Sequence, residues 1–193
     1  MDLQYLKWTK NVRRHDNTWA YREYKVSDSF KLAWKDDEVN ANKPEKDSLI
    51  LLRQRGYVTH LVKVLDCKAE REIGKDDYDI YRIVEVLWAI DFDNPPVSAK
   101  ADAMFDYRVR YQGGKVMELE KLPTFRQRWD DDGGLGGFQT YIRNLLGLSN
   151  NDRENKWLSP VWWVKCILRY ITPSEGVEQT TKTQRTQRSI DPM

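Results

Sequence analysis

Residues 47–66 read DSLILLRQRGYVTHLVKVLD, and this stretch decides the fold class. An apolar run at Leu49–Leu52 stops at Arg53-Gln54-Arg55-Gly56 and restarts at Val58. Two runs of strand length around a short glycine-containing turn specify a β-hairpin. The first run is apolar on consecutive positions, the pattern of a strand covered on both faces. The second alternates, sending Val58, His60, Val62 and Val64 one way and Thr59, Leu61, Lys63 and Leu65 the other. Gly56 stands where a positive φ is needed. The turn also carries Arg53 and Arg55, which need water or an anion at the tip of an otherwise apolar hairpin.

Outward from the hairpin, other elements follow from the same signals. LQYLKWT at 3–9 predicts a strand with Leu6 and Trp8 on one face. Residues 19–34 mix aromatics with charge and end in a second element at Phe30–Trp34, and KDDEVNANKPEKD at 35–47 is a loop by composition. DIYRIVEVLWAIDF at 79–92 predicts a long strand with Ile80, Val84, Val86, Trp88, Ile90 and Phe92 in phase, ended by Asn94-Pro95-Pro96. Residues 98–111 predict a short helix leading into FDYRVRY, which has strand character. The glycine cluster at 133–137 reads as a flexible segment before a helix from Phe138 to Leu146, with Gly147 at its C′ position. SPVWWVKCILRYI at 159–171 is apolar throughout and reads as a buried strand or helix, and the polar stretch from Pro173 reads as disordered. The sum is an α+β chain: one domain over 1–172, a mixed pseudo-barrel of five or six strands with a few short peripheral helices, and a tail over 173–193.

The 32 basic and 30 acidic residues leave a net charge of +2, so any nucleic-acid contact must come from a local patch. Two histidines and two distant cysteines, Cys67 and Cys166, make no spaced metal motif. DDDGG at 130–134 lacks the spacing of a calcium loop, and GGLGG at 133–137 lacks the Lys-Ser/Thr of a phosphate loop. No nucleophile–base pair or telling carboxylate pair is present, so the expectation is no catalytic residue, no metal, no cofactor and no enzyme. With no signal-peptide pattern and no run near the roughly 18 apolar residues of a membrane span, a cytoplasmic protein is expected. The anomaly is tryptophan: eight residues, too many for all to be core when a buried indole N–H needs a partner.

The order of these features resembles the PUA-like superfamily, and within it the EVE domain and its relative the YTH domain. An aromatic-rich first strand precedes a polar loop with Trp, then NKPEKDSLILLRQRGYVTHLVKVLD, then the long strand YRIVEVLWAIDF ending at NPP. The family's Lys-x-Gly-Asp turn is matched by Pro44 and Asp47, with Lys46 in place of the glycine, and THLVKV stands where the family has a GIAEV-type strand. The likeness covers about residues 3–148. It implies a pseudo-barrel that binds a flipped, modified base: in EVE-like domains 5-methylcytosine or N6-methyladenine in DNA, often in restriction systems, and in YTH domains N6-methyladenosine in RNA.

On that resemblance, Trp19 and Trp34 become the walls of an aromatic pocket, with Trp88 and Trp129 as further wall candidates and Asp91 as an acceptor for an exocyclic amine. Stacking returns about 1–3 kcal/mol per base against the few kcal/mol that flipping costs. Arg53 and Arg55, with the repeated Arg-Gln-Arg at Arg126 and Arg128, become contacts to the phosphate backbone from two turns. Trp88 also fits a strand core, Trp162 and Trp163 fit core, and His60 reads as a structural residue. The expected partner is nucleic acid, DNA in preference to RNA, alongside a nuclease or other effector and without a membrane. A small DNA- or RNA-processing enzyme and a protein-interaction domain with exposed Trp are the competing classes.

Overall fold

The computed structural model describes residues 2–72, 78–110 and 113–148. These belong to the first of two units into which the chain divides, Met1–Asn155; the second, Lys156–Met193, lies outside the described residues. The expected element at 159–171, the tail from Pro173, Trp162 and Trp163 therefore also lie outside them.

The hairpin forms as its pattern requires. β3 (Leu49–Gln54) and β4 (Tyr57–Val64) pair antiparallel, with only Arg55 and Gly56 between them. Both turn residues have positive φ, 52° and 78°, the signature of a primed two-residue turn that matches strand twist. Around this hairpin the other strands assemble as β2-β6-β4-β3-β1-β7, comprising β1 (Leu6–Asn11), β2 (Ser29–Trp34), β6 (Ile80–Ala89) and β7 (Val116–Glu118). A two-residue β5 (Glu70–Arg71) pairs with β6 off this path. β1 and β3 are parallel and the remaining pairs antiparallel, so the sheet is mixed, and it curls into a half-barrel. The α+β pseudo-barrel expectation holds.

Two apolar cores lie on the two faces of the sheet. The inner one gathers Trp8, Phe30, Leu32, Trp34, Ile50, Leu52, Val62, Val84 and Val116 from all six strands of the path. The outer one packs Leu6, Leu49, Leu51, Val58 and Leu61 under α2 (Ala101–Phe105), α3 (Pro123–Trp129) and α4 (Gly134–Leu145).

Three single-residue bulges decide which side chains reach which core. The register steps from Leu6↔Leu49 to Trp8↔Ile50, from Leu52↔His60 to Arg53↔Val58, and from Leu61↔Trp88 to Val62↔Val86. Lys7, Thr59 and Leu87 are therefore extra residues, each of which reverses the alternation beyond it. Leu6 and Trp8, expected on one face, lie on opposite faces. Val58 leaves the set containing Val62 and Val64, and Trp88 leaves the phase of Val84 and Val86 for the outer core.

The loop expected at 35–47 contains a short helix, α1 (Glu38–Ala41), capped by the Asp37 carboxylate accepting from the Asn40 N–H at 2.9 Å. Residues 105–110 of FDYRVRY form no strand: Phe105 ends α2, and Asp106 follows it at φ 56°. The glycines at 134–137 are not a flexible segment but the first turn of α4. Gly137 is there for space. A Cβ on it would collide with the carbonyl oxygen of Asp132, whereas one on Gly136 would meet nothing within 4 Å. Gly137→Ala should cost about 1–3 kcal/mol by overpacking, and Gly136→Ala should gain up to about 1 kcal/mol of helix propensity. Urea unfolding of the two variants should read opposite signs.

Candidate functional site

The curled sheet leaves a seam between its edge strands β2 and β7, and α1 sits in it. Asn40, 3 % exposed, bridges the two edges. Its Oδ1 accepts from the Trp34 indole N–H at 3.0 Å and from the Val116 N–H at 2.7 Å, and its Nδ2 donates to the Val116 carbonyl at 2.9 Å. The carboxamide thus pairs with β7 as a neighbouring strand would. Just behind it, Arg82 is fully buried on β6 and donates to Asp66 and to the carbonyls of Ala41 and Pro44, fixing the end of α1. The Tyr21 hydroxyl accepts from the Ala33 N–H at 3.1 Å and so blocks part of the β2 edge. Burial raises the Tyr21 pKa to about 12.

A cleft of about 560 Å³ opens along this seam. Trp8, Val116 and Leu122 give it apolar surface, Asn40, Met117 and Glu118 line it, and Lys43, Lys115 and Lys121 stand exposed around it. Lys115 lies 2.8 Å from Asp37 and Lys121 2.6 Å from Glu118, while Lys43 has no ion pair with a described residue. The Lys115 ammonium, with the Asn40 N–H, holds the Asp37 carboxyl below its ordinary range.

Deeper in the same wall, Lys10 is only 2 % exposed. Its ammonium donates to the Gly114 carbonyl and lies 4.4 Å from the centre of the Trp34 ring. It has no carboxylate partner among the described residues. Burial pulls its pKa from 10.5 down to about 7.

The structure separates the residues expected to form the pocket. Trp34 is 1 % exposed and belongs to the inner core, its N–H taken by Asn40. Trp129 is 4 % exposed, donates to the Phe105 carbonyl at 3.0 Å, and packs against Phe138 and Tyr141 in the outer core. Trp88 is half-buried against the outer core. Trp19 is half-buried near the hairpin tip, edge-on to Tyr57 and Phe92, with the Arg55 guanidinium 4.9 Å from its ring centre. Asp91 is exposed and accepts from the Asp93 N–H. None of the five lines the seam cleft.

The four arginines also differ from expectation. Arg53 is 5 % exposed and its Nε donates to the Thr9 hydroxyl at 2.9 Å, so only Arg55 stands exposed at the hairpin tip. Arg126 and Arg128 lie on α3, not on a turn, because Pro123 starts a helix there. Arg126 faces Asp130 at 3.3 Å and lines a second, shallower cleft of about 440 Å³. Arg128 pairs with Asp106 and Asp132. His60 is structural as expected: fully buried, with Nε2 on the Tyr21 carbonyl at 3.2 Å and its pKa lowered by burial to about 4. Among the described residues no group of His, Cys, Asp and Glu could hold a metal, and no helix is long and apolar enough to cross a membrane.

The sequence reading missed Lys10, Asn40 and the three lysines. The one available signal was the pairing of Trp8 with lysines on both sides, KWTK at 7–10, which a β alternation alone does not explain. Comparison with known protein families, with curated proteins and with solved structures finds no match.

Two outcomes test the seam. Asn40→Ala would strand three buried polar groups and should cost about 3–5 kcal/mol in chemical denaturation. Lys10 sets a pH dependence: between about pH 7 and 10 the unfolded chain carries a proton that the folded chain does not, so stability falls as pH drops through that window and levels off below it. Lys10→Met should therefore be more stable than the parent at pH 7, on the order of 1–3 kcal/mol, with the gap closing towards pH 10. Parallel unfolding curves at all pH values would show that Lys10 is not desolvated.

Proposed function

We propose that this chain is a nucleic-acid-binding module, similar in kind to EVE domains, that takes an unstacked and modified base into the seam cleft. DNA is its preferred polymer, and it binds without catalysing a reaction, in the cytoplasm and alongside a nuclease or other effector. One observation carries this reading: the cleft combines Trp8 and apolar side chains with a rim of three exposed lysines, on a chain whose net charge is only +2. Lys43 supplies a cation with no ion pair among the described residues, and Lys115 and Lys121 stand exposed beside Asp37 and Glu118, ready to exchange those carboxylates for phosphates.

The cleft has room for a base with its sugar. Trp8, which lines it, is only 9 % exposed overall, so stacking is worth at most the lower end of the usual range of about 1–3 kcal/mol. Methyl burial against Trp8, Met117 and Leu122 adds about 0.8 kcal/mol. The cleft draws on none of Trp19, Trp34, Trp88 and Trp129.

Fluorescence anisotropy with single-stranded DNA and RNA oligonucleotides, with and without 5-methylcytosine or N6-methyladenine, tests it across a salt series. Wild-type affinity should fall with salt. The Lys43→Ala, Lys115→Ala, Lys121→Ala triple variant should bind at least tenfold more weakly and flatten the log–log salt slope by about 2–3. Arg126→Ala should leave both unchanged. A triple variant with undiminished affinity and slope would remove the cleft from the interface.

A further inference from the structure

The outer edge of β7 presents chemistry that the lysine rim does not explain. Val116 turns both its N–H and its carbonyl away from β1 and onto the Asn40 carboxamide. Met117 is therefore the residue that bonds to β1 opposite Thr9, and by the two-residue period of a strand the Glu118 N–H faces the same outer side as that of Val116. Asn40 shows what this edge accepts: a planar group with a donor beside an acceptor.

Glu118 also supplies the one carboxylate among the residues that line the cleft. That side chain is 25 % exposed, with Lys121 at 2.6 Å. Glu118 is the direct cross-strand partner of Trp8, so in this non-hydrogen-bonded pair the two side chains are neighbours. A flat ring lying against Trp8 would thus have an N–H and a carboxylate from one residue along its polar edge.

We infer, resting on the nucleic-acid reading above, that Glu118 selects the base. Its main-chain N–H donates to a ring nitrogen, and its carboxylate accepts from the exocyclic amine beside that nitrogen. Cytosine and adenine present this acceptor–donor pair on their Watson–Crick edges. Thymine and uracil present a carbonyl where the carboxylate stands and an N–H where the main-chain N–H stands, so both positions are repelled. A single methyl on the amine leaves one N–H for the carboxylate, and 5-methylcytosine leaves both.

Anisotropy with single-stranded dC, dA and dT homo-oligomers of equal length, at one low salt concentration, decides the matter. The wild type should bind dC and dA about tenfold more tightly than dT. Glu118→Gln, whose amide can turn to donate to a keto oxygen, should bring the affinities together without changing the salt slope. Lys121→Ala should keep the preference and reduce the slope by about 1. Should the Gln variant fail to fold, Glu118→Asp should bind with a weakened preference. Equal wild-type binding of all three oligomers, or a preference that survives in Glu118→Gln, overturns the role of Glu118 and leaves nucleic-acid binding standing. Binding of none of them, nor of their 5-methylcytosine and N6-methyladenine counterparts, sinks the underlying reading and this one with it.

Discussion

The curl of the sheet is held at its seam by one carboxamide, which makes Asn40 the constraint on which inner core and cleft both depend. A six-strand path that curls without closing leaves two edges, and each edge carries backbone groups that need partners. Asn40 supplies three hydrogen bonds from one buried side chain, two to β7 and one to the indole at the end of β2. The short helix that carries it is anchored at its start by Asp37 and behind its end by Arg82. The cleft exists because a four-residue helix, not an eighth strand, fills the gap.

Two buried cations within this framework are treated differently. Arg82 finds Asp66 and three carbonyls for its guanidinium, which matches the fork of donors that an arginine offers. Lys10 finds a carbonyl and an aromatic face. A cation–π contact offsets part of its desolvation, but no carboxylate among the described residues completes the pair, and its proton is held loosely as a result. Because Lys10 faces Gly114, just before the edge strand, its protonation acts on the piece of backbone that borders the cleft.

How much of this was legible depended on whether local pattern or tertiary register controlled the residue. The hairpin was legible because its turn chemistry is local, and so was the end of α4 at Gly147. The strand at 80–89 was legible as a strand, but not the orientation of Trp88, because the extra residue at Leu87 reverses parity and leaves no mark in composition. The same holds for Leu6 against Trp8 and for Val58. The glycines before Phe138 read as flexible because glycine usually marks freedom, whereas Gly137 marks a close approach to Asp132. Trp34 and Trp129 each have a carbonyl-type acceptor for the indole N–H, which is what allows them to be buried and which no local pattern announces. Asn40 could not be found at all: its partners are six and 76 residues away, and nothing in KDDEVNANKPEKD distinguishes it from a solvated loop residue.

The position of β7 in the chain has a consequence for biogenesis. β1 pairs on one side with β3 and on the other with β7, whose first residue comes more than a hundred positions after β1 begins. During synthesis, the hairpin and β6 are available to gather the inner core well before Val116 leaves the ribosome. Until then one flank of β1 stays unpaired, Asn40 lacks two of its three bonds, and Lys10 has no Gly114 carbonyl to meet. A nascent chain paused in this interval displays an open β edge beside half-covered apolar side chains, the state that chaperones shield and that self-association exploits.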